Sequence, residues 1–114
     1  MDRATLLAHF LDDEALLDEM VTRLLARLPS EIEAMRIAST ERDAVALRPL
    51  AHSLKGSLGL FGPSPAYDAV CRLESLSRDG DIEAAELELE SLEGLLGHMM
   101  TELRRLVPNA PNPT

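Results

Sequence analysis

The chain has 114 residues, 46% of them hydrophobic and only 3% aromatic, with a formal charge of −9. That length suits one domain with one core. The acidic balance and scarce aromatics argue against nucleic acid, which needs cations for phosphates and rings for bases, and against anionic membranes.

Apolar spacing reads as helix throughout. Asp2 is placed to cap a short helix over about 3–10, with Leu6, Leu7 and Phe10 on its inner side. Asp12 or Asp13 restarts a longer helix. There Leu17, Val21, Leu24, Leu28, Ile32 and Met35 recur at three- and four-residue steps to about Ser39. Pro29 lies in phase within it, which favours a kink over a break. Thr40 is the expected cap of a third helix, over about 41–60, with Asp43 as its capping-box partner. Gly62-Pro63-Ser64-Pro65 is the clearest breaker, and Ser64 with Pro65 opens the fourth helix. Ala66, Ala69, Val70, Leu73 and Leu76 line its inner side, and Arg78-Asp79-Gly80 ends it. Asp81 caps the last helix, whose Ile82, Ala85, Leu89, Leu92, Leu96, Met99, Leu103 and Leu106 form a heptad seam. Gly94 and Gly97 interrupt that helix without an evident reason. The proline-rich stretch 108–114 reads as a disordered tail after a bundle over 1–107.

No segment alternates like a strand, and short turns join the helices. The expected fold is all-α: an antiparallel four-helix bundle with a short extra N-terminal helix. A coiled-coil dimer is the rival, but the breakers at 62–65 and 79–81 favour a monomer folding back on itself. The one cysteine, Cys71, allows no internal disulfide. With no signal-like or membrane-spanning run, a cytoplasmic location is expected.

The third helix carries the distinctive chemistry. Leu47, Leu50, Ala51, Leu54, Leu58 and Phe61 fall on one stripe, while His52, Lys55, Gly56 and Gly59 fall on the opposite one. Glycine inside a helix costs about 1 kcal/mol against alanine, so two beside an outward histidine call for a reason. Close approach of another molecule to the imidazole supplies one. Lys55 is the chain's only lysine and sits one turn after His52, placed to hold a phosphoryl group. Arg48, one turn before, would extend the positive patch, although a plain surface arginine is the stronger reading of that position. Spacing alone also fits a surface histidine on an ordinary amphipathic helix.

Ala51-His52-Ser53-Leu54-Lys55-Gly56-Ser57, with Gly59 and Phe61-Gly62 behind it, resembles the signature of histidine-containing phosphotransfer (HPt) domains. Cys71-Arg72-Leu73-Glu74 resembles the Cys-x-x-Leu-Glu of that family's next helix, and Gly59-Leu60-Phe61-Gly62 is closer to the phosphotransfer domain of chemotaxis histidine kinases. The resemblance implies a bundle that carries phosphate on histidine between receiver-domain aspartates, with a kinase carrying its own donor site as the other source of phosphate. His52 would be the phosphorylated residue, with Arg48, Gly56 and Gly59 at the docking face. Receivers of response regulators or hybrid kinases would be the partners. The chain itself would need no cofactor, because Mg²⁺ sits on the receiver.

The fold-back places one more residue. His52 and Glu74 lie about equally far from the turn near Gly62, hence at similar heights on adjacent antiparallel helices. A carboxylate there could take the Nδ1 hydrogen and leave Nε2 as nucleophile, though a solvated glutamate fits the spacing as well. The resemblance agrees, since chemotaxis-kinase domains bond their histidine through a glutamate in this helix. No Gly-rich phosphate loop, Walker lysine, hydrolase triad or metal-ligand spacing is present. Without a nucleotide site, the chain is expected to be a phosphocarrier rather than a kinase. The competing function is a helical docking module that carries no phosphate. Lys55, Gly56 and Gly59 speak against it.

Overall fold

The computed structural model describes residues 1–108; the expected tail beyond Pro108 lies outside the described residues. Five helices follow one another: α1 (Arg3–Ala8), α2 (Glu14–Thr40), α3 (Ala44–Gly59), α4 (Pro65–Arg78) and α5 (Ile82–Leu106). Packing runs α2 to α3, α3 to α4, α4 to α5 and α5 back to α2, which closes the four long helices into a bundle. No strand occurs among the described residues.

Every helix start is capped by a side chain that accepts from the backbone N–H three residues on. Asp2 caps α1, Asp13 caps α2, Asp43 caps α3, Ser64 caps α4 and Asp81 caps α5. One expected boundary is thereby corrected. Thr40 does not open α3; it is the last residue of α2, and α3 begins at Ala44 rather than near 41. Asp43 wins because the chain reverses through Arg42, which holds a left-handed φ of 55°. Its carboxylate then meets the free N–H of Ala46 at 3.0 Å. α2 runs unbroken through Pro29, and α3 likewise contains Pro49 at its sixth position, a residue absent from the sequence reading.

The core is aliphatic. Leu17, Val21, Leu24, Leu28 and Met35 of α2 meet Leu47, Ala51, Leu54 and Leu58 of α3, Ala69, Val70 and Leu73 of α4, and the α5 seam from Ala85 to Leu106. Leu7, Leu50, Leu76 and Ile82, expected inside, are only half-buried at its edge.

α1 seals one end of the bundle. Leu6 and Phe10 are buried, and Phe10 meets Phe61 edge-on with ring centroids 5.1 Å apart. Arg3 donates to the Leu106 carbonyl at 2.7 Å, which satisfies an acceptor left open by the end of α5. The turn after α3 needs glycine for its backbone. Gly62 has a φ of 87°, and the His9 ring fills the space that a Cβ would occupy. This turn sets α4 antiparallel to α3 and so fixes which α4 residues stand level with His52.

Candidate functional site

Burying Leu47, Ala51, Leu54 and Leu58 turns the other face of α3 outward. His52 stands on that face with 70% of its side chain exposed. Glu74 reaches it from α4, with Oε2 3.0 Å from His52 Nδ1. Its second oxygen, Oε1, accepts from Lys55 Nζ at 2.9 Å. The carboxylate is only 12% exposed and stands between two partners, one per oxygen.

Electrostatics decide which way the imidazole faces. The Lys55 ammonium, and after it the His52 ring, hold the Glu74 carboxyl below the usual carboxylate value, while burial pushes the other way. Glu74 is therefore ionised near neutral pH and can only accept. His52 Nδ1 must then carry the hydrogen and donate it. In the neutral ring the lone pair then lies on Nε2, the nitrogen that Glu74 does not engage, and that is the form a nucleophile needs.

The structure thus brings His52, Lys55 and Glu74 into one hydrogen-bonded chain. Lys55 has a partner that spacing along α3 could not reveal, because Glu74 comes from another helix. Glu74 in turn holds the Lys55 ammonium above its usual pKa. A test follows from the Glu74 titration. A lowered folded-state pKa gives a contribution to stability that is present above the unfolded value and lost as pH falls through the folded one. Lys55→Ala removes the larger cause. The Glu74 Cδ titration followed by ¹³C NMR is then expected to move up toward the ordinary glutamate value of about 4.3. An unmoved midpoint would show that Lys55 and Glu74 do not interact in solution.

Gly56 and Gly59 lie along the same exposed face, and a Cβ at either would meet nothing within 4 Å. Packing inside the bundle therefore does not require them. Open space alone does not set them apart, since Gly94 and Gly97 are equally unobstructed on α5. What distinguishes Gly56 is its place one turn from His52. Arg48 is exposed one turn on the other side, and among the described residues it has no carboxylate within 4 Å.

One contact beside the site escaped the sequence reading. Arg27 of α2 donates to Ser57 Oγ at 2.8 Å, tying α2 to α3 next to Gly56. A groove follows, lined by Met20, Arg23, Arg27, Leu60 and Phe61. Nothing local to residue 27 signals this, because the contact depends on how α2 and α3 are set against each other. Cys71 is a half-buried free thiol. No group of three or more His, Cys, Asp or Glu among the described residues could hold a metal ion. No described helix is long and apolar enough to cross a membrane.

A family model described as the Hpt domain matches residues 19–106, from the second turn of α2 to the end of α5. No curated protein and no solved structure matches the chain significantly.

Proposed function

The chain belongs to the Hpt domain family, whose members carry phosphoryl groups on histidine in phosphorelays, and on that premise we propose that His52 is the phosphoryl acceptor. The observation that carries this reading is the orientation of the ring. Nδ1 is engaged by Glu74, which leaves Nε2 free on a side chain that is 70% exposed, and one turn on a Cβ at Gly56 would meet nothing within 4 Å.

The donor is the aspartyl phosphate of a receiver domain. The Nε2 lone pair attacks phosphorus in line with the bond to the aspartate oxygen. The N–P bond forms as the P–O bond breaks, and the aspartate leaves as a carboxylate. Positive charge grows on the imidazole as the new bond forms. Glu74, kept ionised by Lys55, meets that charge at Nδ1 across 3.0 Å. A second receiver aspartate reverses the step and takes the group away. The receiver supplies Mg²⁺, and this chain supplies an oriented nucleophile and a surface on which the receiver docks. Gly56 and Gly59 keep that surface low, with Arg48 at its edge. The chain acts as a monomeric phosphocarrier and relies on its partners for catalysis.

Incubation with a ³²P-labelled, phosphorylated receiver tests the proposal. Label should pass to this chain in a form stable to alkali and labile to acid, as expected for phosphohistidine. Label that stays on the receiver across a panel of receivers, or that arrives in an acid-stable form, would refute it.

A further inference from the structure

A phosphoryl group on His52 Nε2 brings between one and two negative charges near neutral pH. The cation nearest in sequence on the outward face is Lys55, and it is already spent. Its ammonium sits 2.9 Å from Glu74, so this pair sums to zero before any phosphoryl group arrives. Moving Lys55 to the phosphoryl group would strip Glu74 of its main stabilising partner just when the ring needs an ionised carboxylate behind it.

Arg48 has no such commitment. Among the described residues it makes no ion pair and no side-chain hydrogen bond, and it is exposed on α3 four residues before His52. Four residues along a helix bring Cβ atoms to about 6 Å. Helical side chains also lean toward the N-terminus, so the His52 ring overlies the turn from which Arg48 springs. Of the other cations without a carboxylate partner, Arg27 is held by Ser57, Arg78 donates to Ser75 Oγ at the end of α4, and Arg104 is near the end of α5. A guanidinium is flat and forked and meets two phosphoryl oxygens at once.

We infer that Arg48 is the residue of this chain that binds the phosphoryl oxygens on His52, while Lys55 stays on Glu74. The inference rests on the proposal that His52 accepts the phosphoryl group. It divides the two cations by role: Lys55 serves the ring through Glu74, and Arg48 serves the phosphoryl group directly. The contact is non-covalent and leaves the balance of the transfer step unchanged.

The test uses the whole chain loaded with phosphoramidate or a phosphorylated receiver and observed by NMR. On loading, the Arg48 Nε–Hε resonance should shift while that of Arg78 stays in place. A cation beside the phosphoryl group favours its dianion. Arg48→Gln should therefore raise the midpoint of the ³¹P pH titration by about 0.5–1 pH unit. Arg48→Lys should restore part of the difference, and Arg78→Gln should leave the midpoint unchanged. An unmoved Arg48 resonance together with equal midpoints in the parent and Arg48→Gln would overturn the assignment while leaving His52 as acceptor. Absence of a phosphohistidine signal from the parent with both donors would overturn the two together.

Discussion

His52→Gln is expected to abolish phosphoryl acceptance and leave the fold in place. The side chain is 70% exposed and lies outside the core, and its one side-chain hydrogen bond among the described residues is to Glu74. Glutamine can offer an amide N–H to the same carboxylate, so Glu74 need not be left without a donor. An amide nitrogen has no free lone pair, however, and cannot form the N–P bond. The expected change in stability is that of an ordinary surface substitution, within about 0.5 kcal/mol. Acid-labile label should disappear entirely, with the circular dichroism spectrum and melting temperature close to the parent. Label persisting at full level would move the acceptor elsewhere, to His9 or His98, the other histidines of the chain.

Gly56→Gln is expected to move stability and transfer in opposite directions. A Cβ at this position meets nothing within 4 Å, so the isolated bundle can accept the side chain. Replacing a mid-helix glycine with a good helix former should then stabilise the protein by about 0.5–1 kcal/mol. For a domain of this size that raises the melting temperature by about 2–5 °C. The same side chain would stand one turn from His52, where the receiver must approach within bonding distance of Nε2. Losing close packing at the centre of an interface costs about 2 kcal/mol, which corresponds to roughly a thirtyfold slower transfer. Thermal melts and stopped-time transfer assays on this one variant report both halves. A more stable variant with unchanged transfer would show that the glycine does not serve clearance.

Much of this architecture is written in local chemistry. Apolar residues at steps of three and four bury one side of each helix, whatever else the chain does. Asp2, Asp13, Ser64 and Asp81 cap because the N–H they satisfy lies three residues away. Gly62-Pro63-Ser64-Pro65 breaks the chain for reasons internal to those four residues. The outward placement of His52, Lys55, Gly56 and Gly59 follows from the helical period and the burial of Leu47, Ala51, Leu54 and Leu58 on the other side. The height of Glu74 opposite His52 follows from counting residues on either side of the turn. At the start of α3 the local signal misled, pointing to Thr40 as the cap with Asp43 only as its partner. The left-handed turn at Arg42 decided for Asp43.

What tertiary structure alone decided are the contacts between elements far apart in sequence. The rotation of α4 about its own axis turns Glu74 inward, so that it takes Lys55 on one oxygen and His52 on the other. A modest rotation of that helix would leave the same sequence pattern intact and separate all three groups. The Arg27–Ser57 contact likewise depends on the packing of α2 on α3. The seating of α1 on Phe61 and Gly62 depends on where the α3–α4 turn comes to rest. Capping and helical period act within one turn, so a single stretch of chain encodes them. The orientation of the His52 ring and the ionised state of Glu74 depend on distances near 3 Å between separate helices, which exist only once the whole core has packed.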